Sequence, residues 1–132
     1  MTTIEAANAT GRAATAQHSA LDIATALEMP PPTAEQAAVI EAGARPLLVV
    51  AGAGSGKTET MAARVVWLVA NGLVDPDQVL GLTFTRKAAA ELSQRIAKRL
   101  RGLERAGIWT PPARDRAVAW RCAGRARPRP CG

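Results

Sequence analysis

Apolar residues recur at helical spacing in two long stretches of the chain. The apolar positions of the first stretch are Met61, Val65, Leu68 and Val69. They predict an amphipathic helix over residues 58–71, which Gly72 helps to end. The apolar positions of the second stretch are Leu92, Ile96, Leu100 and Leu103. They predict a helix from residue 85 to about residue 103.

Two shorter apolar runs have the composition of strands. Residues 47–50 are four consecutive apolar side chains, two of them β-branched, and the run is too short for a typical helix. Residues 79–84 form a second run, and neither run contains a proline, so both can lie inside a sheet. Strand, helix and strand in this order predict a right-handed βαβ unit with parallel strands and a ligand at their carboxyl ends. We therefore expect an α/β fold with a partial parallel sheet and covering helices.

Two short helical patterns precede the first apolar run. Residues 19–27 are compatible with a short helix, which the following run of prolines ends. Thr33 then opens a helix that runs to about residue 42, because a threonine followed three residues later by Gln36 has capping-box spacing. We interpret residues 1–29 as a flexible leader that ends at a domain boundary.

A glycine-rich loop joins the first predicted strand to the first long helix. Its eight residues are Ala51, Gly52, Ala53, Gly54, Ser55, Gly56, Lys57 and Thr58. Glycines permit backbone angles that a Cβ forbids, so successive N–H groups can face one concavity at a helix N-terminus, which favours a polyphosphate. Lys57 would reach the β- and γ-phosphates, and the hydroxyl of Thr58 would bind Mg²⁺. This context predicts a nucleoside triphosphate site, and a chance glycine-rich connection has roughly one chance in twenty.

Gln36 and a group of cations can each be explained either by a structural role or by a functional role. Gln36 either caps its own helix or reads an adenine edge with its amide, and we weigh these at about two to one for the cap. The cations of the last predicted helix are Arg95, Lys98, Arg99 and Arg101. A solvated face accounts for them at about two chances in three, and contact with a nucleic-acid backbone is the remaining possibility.

The net charge of +6 is concentrated at one end of the 132-residue chain. Residues 111–132 contain six arginines and one aspartate, so the rest is nearly neutral and the overall charge does not indicate DNA binding. Residues 110–132 lack apolar periodicity and are rich in arginine, proline and glycine, which predicts a disordered or aberrant tail. Cys122 and Cys131 lie there without other metal ligands. Neither a membrane span nor a signal peptide is evident, so we expect a cytoplasmic protein.

Taken with these motifs, the chain resembles the opening of the superfamily 1 DNA helicases of the UvrD, Rep and PcrA type. The resemblance covers roughly residues 30–104. Residues 51–58 are similar to the first motif of that family position by position. Residues 83–92 are similar to the next motif, usually written Thr-Phe-Thr-Asn-Lys-Ala-Ala-x-Glu-Met. This second motif separates the family from other P-loop proteins.

The resemblance implies a RecA-like motor domain that binds ATP and Mg²⁺ and moves 3′ to 5′ on single-stranded DNA, in repair or recombination. Gln36 would then read the adenine, which reverses the weighting given above, and residues 51–58 would bind the triphosphate. Thr83, Phe84 and Thr85 would lie against the DNA strand, where a base stacked on Phe84 contributes about 1–3 kcal/mol. Without the resemblance, a buried strand aromatic would be favoured for Phe84 by about three to one.

The chain departs from the family pattern at three positions. Arg86 and Leu92 replace the usual asparagine and methionine, which are mild changes. Glu59 stands where the family often has an arginine that packs on adenine. The base pocket must therefore differ, or it must take a cation from elsewhere.

Hydrolysis also requires an acidic pair that holds Mg²⁺ and orients water, and arginines that stabilise the developing charge. The family places these parts further along its sequence. We therefore interpret residues 30–109 as the N-terminal part of the ATP-binding domain and expect weak or no ATPase activity from this chain alone. The remainder of the helicase or a partner subunit would complete it. The alternative is a nucleotide- or nucleic-acid-binding module without motor function that uses residues 110–132, and a small P-loop kinase is less favoured.

Overall fold

A computed structural model describes residues 16–112 of the chain, and this part is built from helices. Its four α-helices are α1 (Ala20–Ala26), α2 (Ala34–Ile40), α3 (Lys57–Ala70) and α4 (Arg86–Arg105), which we call the helical layer. A short 3₁₀ helix, Pro76–Gln78, lies between α3 and α4. These bounds confirm the four helices predicted from apolar spacing and capping signals. None of these helices is long and apolar enough to cross a lipid bilayer.

The core of the helical layer forms around α3, which packs against α1, α2 and α4. The largest fully buried side chains are Val66 and Val69 from α3 and Leu100 and Leu103 from α4. Burying a side chain of this size contributes about 1.5–3 kcal/mol relative to leaving it in water. The apolar stripe predicted for α4 is therefore the face that packs on α3.

The first helix is held against the rest of the layer at its N-terminal end by polar contacts. Trp67 Nε1 donates a hydrogen bond to the carbonyl oxygen of His18 at 2.8 Å. The backbone N–H of Ala20 donates to Glu41 Oε1 at 2.7 Å. Ala20 and Ile23 of α1 are buried in the core. Part of the segment interpreted as a leader, residues 16–29, therefore carries a packed helix.

The C-terminal end of α1 approaches the backbone of α4 closely. A Cβ added at Gly102 would lie 2.6 Å from Leu27 Cδ2, which is closer than real Cβ contacts. Glycine inside a helix costs about 0.5–1 kcal/mol relative to alanine. Gly102 therefore lowers the intrinsic stability of α4 and in return leaves room for Leu27.

No strand is present within residues 16–112, so the predicted parallel sheet and βαβ unit are wrong for this part of the chain. The two runs predicted as strands, residues 47–50 and 79–84, are irregular, and we call them the unpaired segments. Among the described residues, no backbone hydrogen bond joins one unpaired segment to the other. A strand exists through hydrogen bonds to its neighbours, and an isolated pair is marginal in water. Apolar composition alone is therefore insufficient to form one here.

Most apolar side chains of the unpaired segments lie at the surface. The most exposed of them are Phe84, Leu48, Val50, Leu80 and Leu82. Val79 is the exception that packs against the core of the helical layer. The apolar composition that predicted strands inside a sheet thus belongs mostly to side chains that the helical layer does not cover. Residues 1–15 and 113–132, which include most of the predicted tail and both cysteines, lie outside the described residues.

Candidate functional site

The glycine-rich loop turns sharply into the N-terminus of α3. Gly54 and Gly56 have positive φ angles of 76° and 79°, a backbone region that side chains with a Cβ rarely adopt. The N–H of Ser55 donates to the carbonyl oxygen of Gly52 at 3.4 Å, which closes a turn. Gly56 is the N-cap of α3 and has no side chain that caps the helix. The loop is therefore curved, and the start of α3 is left open.

The first turn of α3 presents unpaired donors at this open end. The first intrahelical hydrogen bond runs from the N–H of Thr60 to the carbonyl oxygen of Gly56 at 2.9 Å. The N–H groups of Lys57, Thr58 and Glu59 precede it and have no partner within the helix. Together with the helix dipole, such groups favour an anion.

The ammonium group of Lys57 folds back over the loop. Its Nζ donates to the carbonyl oxygens of Ala51 at 2.9 Å and Gly52 at 2.6 Å. The positive charge therefore lies beside the same loop as the open end of α3. Ala53, Ser55 and Thr58 are exposed around it. Within residues 16–112, no group of three or more His, Cys, Asp or Glu side chains is arranged to hold a metal ion.

Gln36 takes part in a cap and also contacts the loop. Its Oε1 accepts a hydrogen bond from the N–H of Thr33 at 3.0 Å, and its own N–H donates to Thr33 Oγ1 at 3.3 Å. The predicted capping box is therefore confirmed. Because Thr33 N–H is a donor, it fixes Oε1 on its own side, so Nε2 points elsewhere. A Cβ added at Gly56 would lie 3.4 Å from Nε2, so the amide nitrogen of Gln36 lies beside the N-cap of α3.

A mostly apolar cavity of about 350 Å³ extends behind this glutamine. Its apolar walls come from α1, from the segment Met29–Pro32 and from α3, with Ile23, Leu27 and Trp67 among the lining side chains. Gln36, Glu59, Thr60 and Arg99 contribute its polar lining. Small-ligand pockets typically measure roughly 300–1,000 Å³ and combine apolar walls with a few polar groups. This cavity was not predictable from local sequence patterns, because its walls come from five separate segments of the chain.

Glu59 is paired with two arginines of α4. Its Oε2 lies 3.0 Å from Arg95 Nη1, and its Oε1 pairs with Arg99 Nη2. The side chain of Arg99 is only 10% exposed. The solvated-face interpretation of the α4 cations is therefore wrong for Arg99. Lys98 and Arg101 are exposed as that interpretation expects.

The second motif lies at the N-terminus of α4. Thr85 Oγ1 accepts a hydrogen bond from the N–H of Ala88 at 3.1 Å and so caps the helix. Thr83 Oγ1 donates to the carbonyl oxygen of Thr85 at 2.9 Å. These bonds order the backbone on both sides of Phe84, whose ring is fully exposed. Phe84 is therefore not the buried strand aromatic that composition alone favours.

Comparison with known proteins agrees with the resemblance inferred from the motifs. The family model for the UvrD/REP helicase N-terminal domain matches residues 32–117. DNA helicase IV of Escherichia coli K12 is 49% identical over 74 residues, which are 56% of this chain and 11% of that protein. ATP-dependent DNA helicase UvrD1 of Mycobacterium leprae is 50% identical over 64 residues, or 48% of this chain and 8% of that protein.

ATP-dependent DNA helicase PcrA of Staphylococcus aureus is 43% identical over 75 residues, which are 57% of this chain and 10% of that protein. The chain thus spans about a tenth of the length of these relatives. The family model matches well over half of the chain and includes both motifs. This chain belongs to the UvrD/REP helicase N-terminal domain family.

Proposed function

We propose that this chain is the ATP-binding portion of an ATP-dependent DNA helicase, in which ATP hydrolysis drives 3′ to 5′ movement on single-stranded DNA. Family membership supports the proposal, as do the names of relatives described as ATP-dependent DNA helicases. The observation that carries it is the curved loop that opens α3 with Lys57 lying across its carbonyl oxygens. In this proposal residues 30–109 are the N-terminal part of the ATP-binding domain.

The donors at the start of α3 fit a triphosphate. Lys57 would exchange its two carbonyl contacts for phosphate oxygens, and Thr58 would offer its hydroxyl to a Mg²⁺ ion, which would help to neutralise the charge of the triphosphate. A carboxylate on the first turn would repel the phosphates. The charge of Glu59 is compensated by Arg95 and Arg99, so this repulsion is reduced.

The exposed ring of Phe84 fits a stacking role on single-stranded DNA. Its flanking threonines, Thr83 and Thr85, are tied to the first turn of α4 and would hold the ring in a fixed position. An ordered, exposed aromatic face accepts a base of any sequence. The N-terminus of α4 would add a favourable field for a phosphate of the same strand.

Binding rather than hydrolysis is the proposed role of this chain alone. Phosphoryl transfer to water requires metal-binding carboxylates, a group that orients the water and a cation that stabilises the transition state. Glu59, a carboxylate on the first turn after the loop, is already held by two guanidinium groups. The remainder of the helicase or a partner subunit would supply these parts.

Nucleotide binding is tested with a fluorescent ATP analogue and Mg²⁺, using the purified 132-residue chain. We expect Lys57→Ala to weaken binding by at least about tenfold, because it removes a charge-assisted contact to the phosphates. Lys98→Ala removes an equal charge from an exposed position of α4 and should leave binding unchanged. Unchanged binding by Lys57→Ala would overturn the proposal. Steady ATP turnover that Lys57→Ala abolishes would instead show that this chain is active by itself.

DNA binding is tested by the anisotropy of a labelled single strand. We expect Phe84→Ala to weaken binding about 5- to 150-fold, the equivalent of one lost stacking contact of about 1–3 kcal/mol. Phe84→Trp keeps an aromatic face and should retain most of the affinity. If deletion of residues 111–132 abolishes binding while Phe84→Ala has no effect, the non-motor module is the better description.

A further inference from the structure

One face of α4 carries a row of exposed cations, which we call the basic ridge. Its members are Lys87, Lys98, Arg101 and Arg105. At 3.6 residues per turn, these four positions fall within an arc of about 60°, opposite the buried apolar stripe of the helix. None of them forms a hydrogen bond or an ion pair within residues 16–112. The cations of the ridge are therefore free to bind an anion.

The basic ridge extends along almost the whole helix. From Lys87 to Arg105 it is about 27 Å long, at a rise of about 1.5 Å per residue. Of the two acidic residues of α4, Glu91 lies one turn after Lys87, and Glu104 lies on another side of the helix. The second half of the ridge, from Lys98 onward, is therefore purely basic.

A structural role accounts for only one of these cations. A cation in the last turn of a helix interacts favourably with the helix dipole, and Arg105 occupies that turn. Lys98, Arg101 and Arg105 follow one another at spacings of three and four residues, at which like charges destabilise a helix. An anion that lies along the ridge would remove this repulsion.

The composition of this face limits the kind of anion that fits. Between Lys87 and Arg105 the face carries no large apolar side chain, and Gln94 lies among the cations. An amphipathic helix that binds a membrane needs an apolar face to insert, and protein interfaces usually have aromatic or aliphatic residues at their centre. The phosphate backbone of a nucleic acid requires only a row of cations.

The basic ridge begins directly after the exposed ring of Phe84. Lys87 is three residues further along the chain, so the two Cα atoms are at most about 11 Å apart. The hydrogen bonds of Thr83 and Thr85 hold the backbone around Phe84 next to the first turn of α4. A strand that has one base stacked on Phe84 can therefore continue along the ridge.

We propose that the basic ridge of α4 is a second DNA contact, which binds the phosphates of the single strand that stacks on Phe84. This inference rests on the proposed function, because it takes that strand to pass Phe84. At about 3.4 Å per nucleotide, a stacked strand covers the ridge with about eight nucleotides. The ridge contacts only phosphates, so it adds affinity without sequence preference.

The test is the salt dependence of binding to a labelled oligothymidine strand of about 20 nucleotides, measured by anisotropy with the full chain. The triple variant is Lys98→Gln, Arg101→Gln and Arg105→Gln. It should reduce the slope of log K against log salt by about 2, because each cation that contacts a single strand contributes about 0.7. Its affinity should fall roughly 100-fold at about 0.1 M salt and converge with that of the unaltered chain near 1 M. An unchanged slope would overturn the proposal.

Two controls separate position from charge. The triple variant Lys98→Arg, Arg101→Lys and Arg105→Lys keeps every charge of the ridge and should keep the slope. Arg45→Gln removes an exposed cation outside α4 and should keep it too. Equal reductions of the slope by Arg45→Gln and by Lys98→Gln would mean that only the overall charge matters, which contradicts a defined site. Retention on phosphatidylserine vesicles that only the neutral triple variant loses, with an unchanged slope for DNA, would assign the ridge to a membrane instead.

Combining the neutral triple variant with Phe84→Ala shows whether one strand uses both contacts. If one strand lies on both, the two losses of affinity multiply in the combined variant. If Phe84 and the ridge bind strands separately, each change alone has a small effect because the other site still binds. The combined loss then far exceeds the product, and the proposal of one continuous strand is wrong.

The failure of this inference is distinguishable from failure of the proposed function. If Phe84→Ala weakens binding at every salt concentration while the neutral triple variant keeps its slope, the strand stacks on Phe84 and the ridge does not contact it. If the triple variant lowers the slope while Phe84→Ala has no effect, the proposed stacking role is wrong. If the unaltered chain does not bind the strand, the proposed DNA binding is itself wrong.

Discussion

The helical layer and the unpaired segments both contain large apolar side chains, but only the helical layer buries most of its own. Leu100, in α4, is 1% exposed, whereas Leu82, in the second unpaired segment, is 80% exposed. A helix satisfies its backbone hydrogen bonds internally and needs only one neighbour for its apolar face. A strand needs partners for its backbone as well. A leucine is therefore buried in a helix, which satisfies its own backbone hydrogen bonds, and exposed in a segment that lacks a partner strand.

The two regions also divide the candidate site between them. The glycine-rich loop follows the first unpaired segment, and Thr83 and Phe84 belong to the second. The helices that begin directly after them, α3 and α4, pack against each other in the core. The candidate site residues therefore lie where irregular chain enters a helix that is packed in the core, so the backbone is held firmly on the helical side.

The largest expected effect tests this contrast with one substitution in each region. Leu100→Ala should lower the free energy of unfolding by about 2–5 kcal/mol, because it leaves a cavity beside α3. Leu82→Ala removes the same atoms from an exposed side chain and should change the free energy by no more than about 0.5 kcal/mol. Urea unfolding followed by circular dichroism measures both. Equal losses for the two variants would show that the unpaired segments are packed in solution.

An intermediate effect concerns the junction between the helical layer and the first unpaired segment. Arg64 of α3 donates from Nη1 to the carbonyl oxygen of Val39 at 2.6 Å, and its Nη2 donates to that of Gly43. It thus ties the end of α2 to α3 just before the chain enters residues 47–50. Burial is the main cause that lowers the pKa of Arg64, and Arg45 adds to it.

Arg64→Met should lower the free energy of unfolding by about 1–3 kcal/mol, because carbonyl oxygens at the end of α2 lose a charged donor. Arg101→Met is the matched control, since Arg101 is exposed and forms no hydrogen bond or ion pair within residues 16–112. Hydrogen exchange should show faster opening near the end of α2 in Arg64→Met. Equal stability of the two variants would mean that Arg64 does not hold this junction.

Signals within a few residues were sufficient to predict the helices and the loop. Apolar spacing placed α3 and α4, and the Thr33 and Gln36 pair gave the start of α2 together with its capping box. The eight-residue motif gave the loop and the helix that follows it. In each case the residues whose contacts form the element are only a few positions apart in the sequence.

The sheet and the cavity depend on partners that are distant in sequence, and they could not be predicted in the same way. The two short apolar runs have the composition of buried strands, but composition does not supply the neighbours that a strand requires. Arg99 sits among surface-like cations on α4, and its partner Glu59 is forty positions away. One local feature pointed to this ion pair. Glu59 is an acidic residue on the first turn of a helix whose start is proposed to bind an anion, so a cation near it was to be expected.

The smallest expected effect is a change in the pKa of Asp22, in the N-terminal cap of α1. The backbone N–H and the hydroxyl of Ser19 both donate to Asp22 Oδ2, at 2.8 and 2.7 Å, and they lower the pKa of Asp22 below its ordinary value of 3.8. A carboxyl with a lowered pKa in the folded state contributes stability above its ordinary pKa. That contribution is lost as the pH falls through the folded-state value. An NMR titration of the Asp22 carboxyl should therefore give a pKa below 3.8.

Ser19→Ala separates the two donors of this cap. The variant removes the hydroxyl but keeps the backbone N–H, which is the larger cause of the lowered pKa. The pKa of Asp22 should therefore rise in Ser19→Ala and still remain below 3.8. A return to the ordinary value would mean that the backbone bond is lost with the side chain, and that the start of α1 unwinds. In that case α1 would need its cap in order to stay helical, much as a strand needs a neighbour in order to form. The contrast between self-sufficient helices and unpaired segments would then not hold for α1.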